Sequence, residues 1–129
     1  MLSAVIAVTN FDAVCKSELV PLILHLLPVE KLVELAHDSG AKIILDCAQA
    51  AAHEKLDMNS IKADFMAVTS HKMCGPTGIG ALLIAPDIFQ EMQPVQGGGD
   101  MIVEVFKEYS TFQENEHKFE SGTPRIAEA

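Results

Sequence analysis

Residues 64–85, DFMAVTSHKMCGPTGIGALLIA, decide the fold. Their first six residues form an apolar run that predicts a β-strand, and Lys72 follows soon after its end. The glycines at 75, 78 and 80 indicate a tight turn, and residues 78–84 predict a further strand. Because this turn is too short for a helical crossover, we expect the two strands to pair antiparallel.

Lys72 and Asp46 occupy comparable positions in the predicted sheet. A lysine at a strand end, with its stem against apolar neighbours, loses its proton more readily than a free lysine, as a carbonyl cofactor requires. Asp46 ends the apolar run 43–45, and Gln49 lies three residues further on. Proteins hold pyridoxal phosphate with such a pair, aspartate at the ring nitrogen and lysine as the covalent anchor. The alternatives are an ordinary surface lysine and an aspartate that caps a helix.

The remaining pattern alternates strands with helices. Residues 4–8 predict a buried strand, and Pro28 opens a helix that Gly40 ends. Strands are predicted over 42–46 and 64–69, with a short connection at 61–63, and a short helix from Pro86 to near Met92. Residues 109–118 read as an exposed loop. This order predicts an α/β fold with a mainly parallel sheet and flanking helices.

Composition narrows the class of protein. The chain of 129 residues is 49% hydrophobic, which suits one globular domain. Its net charge of −9 argues against nucleic acid or an anionic membrane as partner. The three cysteines lack CxxC or metal-ligand spacing and suit a reducing compartment, and the histidines indicate no metal site. No signal peptide is evident, and the longest apolar stretch, 19–29, is too short to span a bilayer.

Five motifs in order resemble the class V aminotransferase-like family of fold-type-I pyridoxal phosphate enzymes. They are GAKIILDCAQ at 40–49, ADF at 63–65, SHKMCGPTGIG at 70–80, GGGDMI at 97–102 and FESGTP at 119–124. Within that family the chain looks most like the SufS-type cysteine desulfurases, including the plastid ones. The resemblance implies that residues 1–129 are part of the large cofactor-binding domain of a longer enzyme.

The resemblance also implies roles for individual residues. Lys72 would anchor the cofactor and later move the proton at the substrate Cα, while Asp46 would bind the ring nitrogen. Gln49 would bind the phenolic oxygen, and Asn10 would lie near cofactor and substrate. The catalytic residue implied is therefore Lys72, and no metal ligand is implied.

The cofactor phosphate has its own implied partners. His71 would bind it, together with a hydroxyl that either Thr69 or Ser70 could supply. Thr123 and the glycines at 97–99 would lie at a dimer interface, where Thr123 reaches the phosphate of the neighbouring subunit. A flexible loop is the alternative for this last segment.

The implied reaction converts L-cysteine to L-alanine and leaves a persulfide for iron–sulfur cluster assembly. It implies a homodimer, a SufE-type sulfur acceptor and a plastid or cytoplasmic setting. The family's nucleophilic cysteine, substrate-binding arginine and ring-stacking histidine would lie outside residues 1–129, so we expect no turnover from this chain alone. The alternatives are a selenocysteine lyase, an aminotransferase or epimerase relative, an inactive cofactor-binding fragment, or a small flavodoxin-like module.

One segment departs from the family pattern. Asn10 and Pro28, which the family places a few residues apart, are separated here by residues 11–27, of which the mostly apolar stretch 19–27 has no family counterpart. These residues are either a natural loop insertion or translated intron or out-of-frame sequence.

Overall fold

The structure is a computed structural model that describes residues 6–8 and 28–129. It divides into two compact units, one ending at Ala85 and the other covering Pro86–Ala129. The predictions for Asn10 and for residues 11–27 lie outside the described residues, and the strand predicted over 4–8 is described only at its last three.

The first unit contains a four-stranded sheet in the order β1-β2-β3-β4. Its strands are β1 (Ile6–Val8), β2 (Ile43–Asp46), β3 (Phe65–Thr69) and β4 (Gly80–Ile84). Strands β3 and β4 pair antiparallel, as the short turn between them predicts, and β2 and β3 pair parallel. The pairing of β1 with β2 is antiparallel, so the described sheet is mixed rather than mainly parallel. An apolar run suits either kind of ladder, and it therefore cannot predict strand direction.

One face of this sheet packs against helix α1 (Val29–Asp38). Alternation along β2 buries Ile43 and Leu45 in the core and leaves Asp46 half-buried on the opposite face. Among the described residues, the core cluster of this sheet and helix contains six buried residues, Val33, Ile43, Leu45, Cys47, Ala63 and Met66. The helix begins after Pro28, and Gly40, with φ of 69°, follows its end, as predicted.

A second short helix was not expected from the sequence. Residues Met58–Ile61 form α2, whereas the sequence predicted only a short connection at 61–63. Its N-cap is Asp57, whose carboxylate accepts hydrogen bonds from the amides of Asn59 and Ser60 at 3.0 and 3.2 Å. An aspartate in this position is a typical helix start, so the signal was present in the sequence.

The second unit begins with helix α3 (Pro86–Glu91), close to the predicted bounds. It continues with an antiparallel hairpin of β5 (Ile102–Val105) and β6 (Ser110–Phe112), and then a 3₁₀ turn at Glu116–Phe119. The exposed loop predicted over 109–118 is therefore wrong. None of the helices in the described part of the chain is long and apolar enough to cross a membrane.

Lys118 explains part of that error. Its side chain is buried, with Nζ 3.4 Å from the carbonyl oxygen of Phe89 and over the rings of Phe89 and Phe119 at 5.5 and 5.3 Å. The local sequence predicts that a lysine is exposed, but here aromatic faces attract its ammonium group and apolar surface covers its stem. The contact joins residues 29 apart in sequence, which local pattern does not reveal.

Candidate functional site

The parallel pair β2–β3 brings two polar segments to one edge of the sheet. Asp46, the last residue of β2, lies opposite Ala67 of β3, and the amide of Cys47 donates to the Ala67 carbonyl at 2.8 Å. Thr69 ends β3 two residues further on. Ligands of open α/β sheets bind outside the carboxyl ends of parallel strands, so this edge is the candidate site.

Asp46 is half-buried and closes a local turn. Its Oδ1 atom accepts a hydrogen bond from the amide of Ala48 at 2.9 Å, and the chain turns through residues 48–50, which include the half-buried Gln49. The cap therefore belongs to a turn and not to a helix. Among the described residues, no hydrogen bond reaches Oδ2, which leaves one carboxylate oxygen able to accept from a ligand.

Cys47 points into the core behind this turn. Burial, and after it the charge of Asp46, raises the pKa of the Cys47 thiol above its usual value. A buried thiol with a raised pKa is a poor nucleophile, and the position of Cys47 in the core makes it a packing residue.

Thr69 and His71 form a hydrogen-bonded pair just beyond the end of β3. The Thr69 Oγ1 atom lies 2.9 Å from Nδ1 of His71. If Nδ1 carries the hydrogen, it donates to Thr69 and leaves the Thr69 hydroxyl hydrogen for another acceptor. The Ile79 carbonyl oxygen lies 3.5 Å from Oγ1, which is longer than a usual O–H···O hydrogen bond, so an anion can replace it. If Nδ1 accepts, the hydrogen is on Nε2, which can donate instead. Either neutral tautomer therefore offers one donor to an anion, and the imidazolium form offers two.

Lys72 ends the 3₁₀ turn Ser70–Lys72 and is exposed. The predicted packing of its stem against the apolar strand is therefore absent, because the 3₁₀ turn carries the chain away from the ladder before it reaches Lys72. A close backbone contact explains why β4 starts with a glycine. A Cβ on Gly80 would lie 2.6 Å from the carbonyl oxygen of Val68. This agrees with the interpretation that these glycines serve the turn.

Asp64 is a buried polar residue whose role the local sequence pattern does not reveal. It is buried at the amino end of β3, the opposite end from the candidate site. Its Oδ2 atom accepts from the amide of Ile43 at 2.7 Å and lies 2.9 Å from Nε2 of His37, while Oδ1 lies 3.3 Å from Nζ of Lys42. Burial acts to raise the pKa of Asp64, but the hydrogen bonds from these partners outweigh it and hold the pKa below its usual value. An aspartate directly before a buried strand was the available signal.

Thr123 belongs to the second unit, where it is exposed. The segment before it packs on the glycines at 97–99. The amide of Gly122 donates to the Gly99 carbonyl at 3.0 Å, and a Cβ on Gly98 would collide with the Ser121 hydroxyl. These contacts favour an ordered segment over a flexible loop.

Comparison with known proteins identifies the family of this arrangement. Residues 24–129 match the family model Aminotransferase class-V. A probable cysteine desulfurase of Synechocystis sp. is 49% identical over 79% of this chain and 24% of its own length. A cysteine desulfurase of Haloferax volcanii is 48% identical over 78% of this chain and 24% of its own. The chain thus spans about a quarter of the length of these relatives.

Two solved structures share the fold. The cysteine desulfurase CsdA of Escherichia coli matches with a TM-score of 0.75 and 36% identity, over 81% of this chain and 26% of that one. The apo cysteine desulfurase of Thermococcus onnurineus NA1 matches with a TM-score of 0.71 and 38% identity, over 78% and 26%. The α/β fold-type-I prediction is confirmed, and the matched family is one of pyridoxal phosphate-dependent enzymes, as predicted. The chain belongs to the aminotransferase class-V family.

Proposed function

We propose that this chain forms part of the pyridoxal phosphate site of a cysteine desulfurase, which converts L-cysteine to L-alanine and leaves its sulfur as a persulfide. One observation carries the proposal: the parallel pairing of β2 and β3 brings Asp46 and the segment from Thr69 to Lys72 to the same sheet edge. The donor set fits the cofactor, with a carboxylate for the ring nitrogen, an amine for the aldehyde and a hydroxyl–imidazole pair for the phosphate.

Lys72 and Asp46 have the central roles. The exposed amine of Lys72 is free to form the covalent bond to the cofactor aldehyde and then to move the proton at the substrate Cα. Asp46, through its Oδ2 atom, would hold a proton on the ring nitrogen, and Gln49 would donate to the phenolic oxygen. When bound, pyridoxal phosphate takes up the negative charge that develops at the Cα atom.

The Thr69–His71 pair binds the cofactor phosphate in this proposal. The pair has a donor for an anion in each protonation state, and its 2.9 Å hydrogen bond orients the imidazole. Thr123 is proposed to reach the phosphate of a neighbouring subunit in a homodimer. Asn10 is proposed to lie near cofactor and substrate.

The finer assignment is a SufS-type enzyme that passes sulfur to a SufE-type acceptor for iron–sulfur cluster assembly. The close match of residues 70–80 and the triple glycine supports SufS, while selenocysteine lyases and aminotransferase or epimerase relatives are the alternatives. Cys47 and Cys74 are free thiols, which supports a reducing compartment, either plastid or cytoplasm.

Covalent trapping tests the proposal. The chain is incubated with pyridoxal phosphate, reduced with borohydride and mapped by peptide mass spectrometry. We expect the phosphopyridoxyl group on Lys72 well above the level on Lys42 or Lys62, and labelling that inorganic phosphate suppresses. Pyridoxal without the phosphate is the matched probe and should label Lys72 more weakly. Equal labelling of the three lysines would contradict the assignment.

Sulfide release separates cofactor binding from turnover. Attack on the substrate sulfur needs a nucleophile about 3–3.5 Å away. Cys47 is buried with a raised thiol pKa, and neither Cys15 nor Cys74 is at the position that the resemblance implies for the nucleophile. We therefore expect Lys72 labelling without sulfide release when this chain is assayed alone with L-cysteine and a reductant. Turnover would require a nucleophile among Cys15, Cys47 and Cys74.

A further inference from the structure

The loop that carries Lys72 folds back on a single residue, Ser70. The Ser70 amide donates to the Ile79 carbonyl at 3.2 Å, and the Ser70 carbonyl accepts from the amides of Met73 and Gly75 at 2.8 and 2.9 Å. The Ser70 hydroxyl donates to the carbonyl of Pro76. Ser70 therefore ties both the near and the far side of this loop to the end of β3.

The backbone of the loop requires this closure. Cys74 has a left-handed φ of 65°, which is costly for a residue other than glycine. A Cβ on Gly75 would lie 3.0 Å from the Ser70 hydroxyl oxygen and 3.1 Å from its Cβ. Such a tight, strained turn persists only when surrounding contacts hold it, and the Ser70 side chain supplies one of them.

The hydrogen bonds of Ser70 also bear on the choice between Thr69 and Ser70 as phosphate ligand. A serine hydroxyl has one hydrogen to donate, and in Ser70 the Pro76 carbonyl takes it. Phosphate oxygens need hydrogen-bond donors, and the Ser70 hydroxyl has no further hydrogen to donate to them. Thr69 instead shares its hydroxyl with His71 at 2.9 Å, and its contact with the Ile79 carbonyl is long, at 3.5 Å, so the pair keeps a donor available for phosphate.

We propose that Ser70 is a positioning residue, whose hydroxyl closes the loop onto Pro76 and thereby fixes where the Lys72 amine meets an aldehyde. Phosphate binding stays with Thr69 and His71. This inference rests on the proposed function, since it gives two adjacent hydroxyls of that same site different roles, loop closure for Ser70 and phosphate binding for Thr69.

The first experiment needs no cofactor. Hydrogen exchange at the Met73 and Gly75 amides is compared between the chain and its Ser70→Ala variant. Losing one hydrogen bond should raise exchange at these amides about fivefold. The matched control is Thr77→Ala in the same loop. The Thr77 hydroxyl has no hydrogen-bond partner among the described residues, so its removal should leave exchange at these amides unchanged. Equal exchange in all three proteins would overturn the closure.

The second experiment separates positioning from phosphate binding. We expect Ser70→Ala to slow borohydride-trapped labelling of Lys72 by about fivefold, while the inhibition constant for inorganic phosphate stays unchanged. Thr69→Val should instead weaken that phosphate constant. Ser70→Thr keeps a hydroxyl and should restore the labelling rate.

The outcomes are distinct. A phosphate constant weakened equally by Ser70→Ala and Thr69→Val would make Ser70 a ligand and overturn the proposal. If the unsubstituted chain were not labelled at Lys72, the proposed function would fail, and the exchange result would still decide whether Ser70 closes the loop.

Discussion

The two ends of the parallel pair β2–β3 each carry an aspartate, and the two carboxylates are used differently. At the amino end Asp64 is buried, and both of its oxygens meet partners from His37, Lys42 and Ile43. At the carboxyl end Asp46 is half-buried and binds only the nearby Ala48 amide among the described residues. A carboxylate with its partners satisfied holds strands in place, whereas one with a free oxygen can bind a ligand.

The largest expected effect comes from removing the buried carboxylate. Asp64→Ala leaves the Ile43 amide without its partner, and it should lower the free energy of unfolding by about 3 kcal/mol. Asp46→Ala loses one local hydrogen bond and should cost about 1 kcal/mol or less. Urea denaturation followed by circular dichroism measures both. Equal losses would mean that the two ends do not differ as the contacts indicate.

Cofactor affinity should show the reverse order. Asp46→Ala removes the carboxylate proposed to bind the charged ring nitrogen, so we expect pyridoxal phosphate to bind about tenfold more weakly or worse. Asp64→Asn keeps the shape of the side chain far from this edge and should change the affinity little. An absorbance titration of folded protein compares them. A larger loss in Asp64→Asn would place the binding determinant at the wrong end of the strands.

Acidic pH should reduce the contribution of Asp64 to stability at the amino end of the strand pair. The pKa of Asp64 is lower in the folded chain than its usual value, so its contribution to stability is present above about pH 4 and is lost as the pH falls through the folded pKa. The stability difference between the chain and Asp64→Asn should therefore shrink towards acid pH. Denaturation curves at stepped pH measure it, and a constant difference would contradict the assignment.

The smallest effect concerns Lys42, whose side chain is half exposed at 49% while it contacts Asp64 at 3.3 Å. Lys42→Met should cost about 0.5 kcal/mol because water screens an exposed ion pair. The control is Lys62→Met, a lysine without an ion pair in the described part of the chain. The difference between the two should fade when salt is added.

Local pattern predicted the elements of the first unit with some success. The helix from Val29, the strands β2, β3 and β4 and the antiparallel turn between the last two all follow from residue spacing and glycines. The direction of β1 did not follow, because both ladder types accept the same apolar residues. The hairpin β5–β6 was missed, since its strands are short and lack clear alternation.

For the candidate site, too, the sequence predicted some features and missed others. Asp46, Gln49 and the segment from Thr69 to Lys72 could be selected from the sequence, because polar residues directly after apolar strands stand out. The hydrogen-bond partners of each hydroxyl could not be predicted from the sequence, and the choice between Thr69 and Ser70 as phosphate ligand stayed open. The Asp64 cluster was missed because the partners of Asp64 lie 21 to 27 positions before it in sequence.

The sequence by itself determined the family, the order of most elements and the residue types available for chemistry at the sheet edge. These depend on neighbours along the chain, where side-chain spacing and backbone preference act. Only the tertiary structure decided which aspartate is buried and which hydroxyl is already bonded. The burial depends on the parallel register of β2 and β3, which joins residues distant in sequence, and the bonding of the Ser70 hydroxyl depends on how the loop closes between Ser70 and Pro76.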